Sequence, residues 1–311
     1  MEFLYLLEKI RIPVLNEFML LITRLGEETA FLVIALVLFW CVSKQWGYYL
    51  LSVGFIGTLA NQFMKLLFQV PRPWVLDPGF SILEQAREAA SGYSFPSGHT
   101  QSSVGTFGSL AYLTKNKWIR IGSIFAVILV PFSRMYIGVH TPMDVLVAAA
   151  MAVVLIIALK PVVLPNKKKT MLFLFGVMML LAISFLCFVE CYPFSTKIDH
   201  HNLESGIKNA YTLTGALLGL FVVYLVDERY LQFPTNAVWW VQIIKVAVGL
   251  LLVLAVKSGL KSPLNMVFGE SIGRAVRYFM IVIVAGVVWP LSFRKLSMIG
   301  NNVCDTMETE E

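Results

Sequence analysis

An all-α integral membrane protein is the fold class the sequence predicts, on three observations. Hydrophobic residues make up 58% of the 311 and charged residues only 14%, and the mean hydropathy is +0.74, outside the range of water-soluble globular domains. Apolar runs recur from end to end, near the roughly 20 helical residues that a bilayer core of about 30 Å requires. Lys and Arg gather at the ends of those runs, as in helices oriented by the positive-inside rule. The net charge of +6 therefore points to a bilayer partner and away from nucleic acid.

The elements follow in order. The start, MEFLYLLEKIRIPVL, has no basic n-region and no small-residue cleavage site, so residues 1–24 read as an interfacial amphipathic segment and not as a cleaved signal peptide. Nine crossings are expected after it, at 28–43, 48–69, 99–114, 118–139, 143–160, 170–190, 208–226, 237–260 and 272–291. Trp46, Trp118, Trp239 and Trp240 fall near their ends, where an indole prefers the interface. Lys115, Lys117 and Arg120 flank one turn and Lys167, Lys168 and Lys169 another, which places both in the cytoplasm. Loop 70–98 and the short connection near 140 are then extracytoplasmic, although Lys257, Lys261, Arg274 and Arg277 on that side run against the rule. Gly215 and Gly219, four apart, suit close helix packing, and Lys245 reads as a lysine snorkelling from a helix end. Cys41, Cys187 and Cys191 lie in or beside apolar runs and Cys304 in the acidic tail CDTMETEE, a distribution that suggests no disulfide framework.

Three segments break the apolar pattern. KLLFQVPRP carries Lys65 and Arg72, PSGH ends on His99, and SRMYIGVHTPMD carries Ser133, Arg134, His140 and Asp144. Helices crossing in alternation bring all three to one face. Taken singly, each has a structural explanation: a snorkelling lysine, a helix-start histidine, an Arg134–Asp144 ion pair. Taken together, three cations in one confined place require an anion, and arginine is suited to phosphate oxygens. The first-turn amides after Pro96, the Ser97 hydroxyl and the close approach that Gly98 allows complete an anion cradle. His140 and Asp144, four residues apart, make an oriented imidazole nucleophile, and His99 is placed to protonate a leaving oxygen and then activate water.

Lys65 with Arg72-Pro73, then Pro96-Ser97-Gly98-His99, then Ser133-Arg134 with His140 and Asp144, resemble the full three-part signature of the type 2 phosphatidic acid phosphatase superfamily. This superfamily includes lipid phosphate phosphatases, glucose-6-phosphatase and the vanadium haloperoxidases. The resemblance implies a six-helix phosphatase core over 25–192, followed at 193–311 by about three additional transmembrane helices with an acidic tail. It implies His140 as the nucleophile of a phosphohistidine, Asp144 as its orienting partner and His99 as general acid. Lys65, Arg72, Ser97, Gly98 and Arg134 would bind the phosphoryl group. No metal or other cofactor is implied, and the sequence does not specify an oligomeric state. His200 and His201, with Asp199, Cys187 and Cys191 nearby, fit no zinc spacing. The expected activity is metal-independent hydrolysis of a lipid phosphate or diphosphate, phosphatidate-like or polyprenyl, at the extracytoplasmic face. A glucose-6-phosphatase-like hydrolase of soluble esters and a non-catalytic lipid-binding or transport protein are the alternatives. Two histidines and an aspartate beside the cations go beyond what binding alone needs.

Overall fold

The computed structural model describes residues 1–87, 90–195 and 198–299; the acidic tail with Cys304, and Glu88 of the long loop, lie outside them. The helices are α1 (Glu2–Lys9), α2 (Pro13–Thr23), α3 (Glu28–Val37), α4 (Lys44–Phe68), α5 (Pro73–Leu76), α6 (Gly98–Ser103) and α7 (Ser109–Leu113). After them come α8 (Lys117–Tyr136), α9 (Pro142–Val163), α10 (Lys168–Cys191), α11 (His200–Val226), α12 (Trp239–Gly259) and α13 (Lys261–Ile283). Among the described residues, seven helical stretches are long and apolar enough to cross a membrane, and the pair Pro13–Gly26 and Glu28–Val42, bent by 51°, meets the same test jointly.

Two expected crossings take another form. The span at 28–43 is the second half of that bent pair. The span at 99–114 is the run α6, a π-turn at Val104–Gly108, and α7, about 24 Å long at ~1.5 Å per residue and so shorter than the hydrocarbon core. Its polar residues account for this: Thr100, Gln101, Ser103, Thr106 and Ser109 are all buried, so the helix faces protein rather than lipid.

The chain divides into two compact units, one of Met1–Leu32, Tyr49–Pro165 and Cys187–Ile207, the other of Val33–Tyr48, Asn166–Leu186 and Lys208–Glu311. In the first, α8 packs on α2, α6 and α7, and α9 packs on α6 and its π-turn. The outward face of α8 is apolar, with Trp118, Ile121, Phe125 and Ile128 exposed, while Ser123, Ser133 and Arg134 are buried. This inversion of the soluble pattern suits a bilayer, where polar groups must be satisfied internally. Residues 1–24 form α1 and α2, and α1 lies on the long loop: the Tyr5 hydroxyl donates to Asp77 at 2.8 Å, and Arg11 donates to the Ser81 carbonyl at 2.8 Å and the Tyr136 carbonyl at 3.0 Å.

In the second unit α12 packs on α13, and Gly269, at φ +76°, breaks α13. The expected close approach at Gly215 and Gly219 is present: a Cβ on Gly215 would overlap the Ala275 backbone, and one on Gly219 would stand 2.9 Å from Val282. Lys245 does not snorkel. It is fully buried, donates to the Pro234 and Thr235 carbonyls at 3.3 and 3.2 Å, and sits 4.7 Å from the centre of the Phe293 ring.

Candidate active site

The last two turns of α4 grip the end of the long loop. Asn61 donates to the Pro96 carbonyl at 3.3 Å, and one turn on, the Lys65 ammonium donates to the Tyr93 carbonyl. Arg72, just beyond the helix, is 6% exposed and gathers the same loop: Nε donates to Gly92 at 3.0 Å and Nη2 to Ser91 at 2.8 Å. Gly92 takes φ +75°, a conformation that costs glycine little. The remaining nitrogen, Nη1, donates to the Val139 carbonyl and faces Nε2 of His140, both at 3.0 Å.

That last contact favours one tautomer. A guanidinium can only donate, so Nε2 carries a lone pair and the ring proton sits on Nδ1. Nδ1 in turn lies 3.5 Å from Asp144 Oδ2 and 3.4 Å from the Ser94 hydroxyl. Burial first, and then the guanidiniums of Arg72 and Arg134, hold the imidazole well below its ordinary pKa of 6.5. His140 is therefore a neutral base with its lone pair directed at a cation, the state that nucleophilic attack on phosphorus requires.

Asp144 holds its place through a capping box at the start of α9. Its Oδ2 accepts from the Thr141 N–H at 2.8 Å while its own N–H donates to Thr141 Oγ1 at 3.3 Å. The Ser94 hydroxyl donates to the same Oδ2 at 2.6 Å. The Asp144 carbonyl also accepts from Ser97 N–H at 3.0 Å, which ties the PSGH turn to α9. Ser97 Oγ caps α6, accepting from the Thr100 hydroxyl at 3.0 Å and N–H at 3.4 Å; neither contact consumes its own proton.

Arg134, 1% exposed, donates through Nη1 to Thr23 Oγ1 at 2.8 Å, and its buried Nε has no partner among the described residues. His99 opens α6 beside Gly26, where an added Cβ would lie 2.9 Å from the His99 carbonyl and 3.1 Å from its Cβ. Lys65, Arg72, Arg134 and His99 all act electrostatically on His140, and with Ser97, Gly98 and Asp144 they lie in one unit. The eight expected residues thus come together.

Sequence reasoning missed Ser94, Thr141, Asn61 and Thr23. Asn61 had a signal, a polar residue one turn before Lys65 inside an apolar run. Ser94 stood three residues from Ser97 in a polar cluster, and Thr141 preceded a proline and an aspartate in helix-start order. Nothing local marks Thr23.

A family model described as PAP2 superfamily matches residues 45–168, and one described as PAP2 superfamily phosphatase, transmembrane extension, matches 211–301. The chain is 31% identical over 138 residues to an undecaprenyl-diphosphatase of Sulfolobus acidocaldarius, covering 44% of this chain and 65% of that one. It is 31% identical over 217 residues to a probable sphingosine-1-phosphate phosphatase of Dictyostelium discoideum, covering 63% of this chain and 48% of the other. With phosphatidylglycerophosphatase B of Bacillus subtilis the identity is 32% over 166 residues, 49% of this chain and 76% of the relative. The matched region is thus less than two thirds of the first two relatives. No solved structure matches.

Proposed function

The chain belongs to the PAP2 superfamily, and from that premise we propose that it is a metal-independent membrane phosphatase that hydrolyses a lipid phosphate or diphosphate through a phosphohistidine on His140. The observation that carries the reading is the neutral His140, its Nε2 3.0 Å from Arg72 and its Nδ1 toward Asp144.

In the proposed reaction the phosphoryl group displaces Arg72 from Nε2 and is held by Lys65, Arg72, Arg134, Ser97 and the first amides of α6. Nε2 attacks phosphorus as the bond to the lipid oxygen breaks, and His99 gives that oxygen a proton. The imidazole becomes cationic, and Asp144 stabilises it through Nδ1–H. Neutral His99 then takes a proton from water, whose oxygen attacks phosphorus and breaks the P–N bond, releasing inorganic phosphate. The membrane setting and the names of the relatives favour a lipid substrate over a soluble ester. The extracytoplasmic side is favoured by α8, whose first turn carries the exposed Lys117 and Arg120 while Arg134 at its other end is buried in protein: exposed basic ends stay inside.

Protein purified in detergent with EDTA is assayed for phosphate release from lipid monophosphates, a polyprenyl diphosphate and glucose 6-phosphate. Release from one or more lipids, with acid-labile phosphate retained on the protein after a quench, is the expected result. Undiminished release by His140→Ala would sink the mechanism.

A further inference from the structure

Ser94 lies outside the roles assigned above, and its geometry is not that of a loop tie. Its backbone is already fixed: its N–H donates to the Val70 carbonyl at 2.8 Å. Its neighbours are anchored as well, Tyr93 by Lys65 on its carbonyl and by the Asp199 N–H at 3.3 Å on its hydroxyl, and Phe95 by an edge contact to Phe68 at 5.4 Å. The hydroxyl, 0% exposed, is left for another purpose. It donates to Asp144 Oδ2 at 2.6 Å and stands 3.4 Å from His140 Nδ1, as near to that nitrogen as the carboxylate is at 3.5 Å.

We propose that Ser94 is a positioning residue for the nucleophile: its hydroxyl bridges Asp144 and His140, donating to the carboxylate and offering its lone pair to Nδ1–H. This rests on the phosphatase reading above. A hydroxyl is both donor and acceptor, so one oxygen can complete the chain Nδ1–H to Oγ, O–H to Oδ2. Neither Nδ1 contact, 3.4 Å to the hydroxyl or 3.5 Å to the carboxylate, is short enough to hold the ring by itself, so the ring is held by the two together. The bridge keeps the proton on Nδ1 and the lone pair on Nε2, as partners of metal-bound histidines fix their tautomer. When Nε2 takes the phosphoryl group, the positive charge that appears on the ring meets the carboxylate through this hydroxyl.

The test uses Ser94→Ala and Ser94→Cys in the full chain. For Ser94→Ala the expected result is a kcat about 10- to 100-fold lower, the loss typical of a hydrogen bond to a charged group, with KM within about threefold because no substrate contact is removed. Ser94→Cys, nearly isosteric and a weak donor, should fall between alanine and the native enzyme and should fold if the alanine variant does not. The second readout needs no turnover. With 15N-labelled histidine, only four rings contribute signals, and His140, assigned by its loss in His140→Ala, should be the Nδ1–H tautomer in the native chain and a mixture in either variant. Native kcat in both variants, or an unshifted tautomer population in a folded variant, overturns the proposal. Phosphate release that survives His140→Ala counts instead against His140 as the nucleophile, and absence of release from every substrate in the native chain counts against the phosphatase reading; the tautomer measurement depends on neither.

Discussion

The two units distribute their cations differently. In the second, the partly exposed Lys44 and Arg274 meet carboxylates, Asp227 at 2.7 Å and Glu270 at 3.3 Å, and the buried Lys245 stands alone on two carbonyls. In the first, Lys65 and Arg72 meet backbone carbonyls and Arg134 a threonine hydroxyl, groups that satisfy donors and leave the charge unneutralised. Buried charge without a counter-charge is costly. Three buried cations that converge on one histidine, without a carboxylate among the described residues in contact with any of them, leave room for an anion the chain does not encode.

The comparison is open to test, beginning with the largest effect. His140→Ala should lower phosphate release by about 10⁴-fold, and His99→Ala by about 10²- to 10³-fold, magnitudes usual for a nucleophile and a general acid; initial rates on the preferred lipid measure both. Replacing Arg134 by Gln should raise the inhibition constant for orthovanadate by about 10- to 100-fold, whereas Lys44→Met should leave it unchanged. Equal effects of the two would erase the contrast between the units.

A finer test is the pH profile. His140 is faced by Arg72, Arg134, Lys65 and His99, with Asp144 behind it. Its depressed pKa keeps the lone pair available, so the acid limb of kcat/KM should lie below pH 6.5, the ordinary imidazole value. Arg72→Gln removes a positive neighbour, which makes protonation easier and should move that limb to higher pH. An unmoved limb would mean that another group governs it. The smallest effects belong to the second unit. Asp227→Asn leaves the partly buried Lys44 ammonium without its counter-charge and should cost about 1–3 kcal/mol, seen as a lower melting temperature in detergent with kcat unchanged. Gly215→Val, driven into Ala275, should cost a similar amount.

The functional centre was legible because polar residues are expensive in an apolar chain. Lys65, Arg72, His99, Arg134, His140 and Asp144 stood out by type and by alternation across predicted crossings. What supports them was not legible. Thr23, 111 residues from Arg134, lies in a segment whose amphipathic pattern suggested the interface, and no local pattern tells a hydroxyl which guanidinium it will meet. Lys245 looked like a snorkelling side chain because the carbonyls that hold it belong to an irregular stretch at Pro234 and Thr235. The shortness of the helix from Gly98 to Leu113 was within reach, since Gln101, Ser103, Thr106 and Ser109 are poor lipid-facing residues. A span count based on mean hydropathy overlooks what one face of a helix carries.

The capping box at the start of α9 narrows the choices open to mutation. Asp144 Oδ2 closes the first turn of the helix on Thr141 and also backs the His140 ring, so in the proposed reaction selection for a sturdier helix start and selection for faster turnover act on one atom. Asparagine could cap the helix nearly as well while removing the charge. Drift at this position would therefore give a chain that still inserts and folds but has lost its chemistry, a short path from an enzyme to a lipid-phosphate binder.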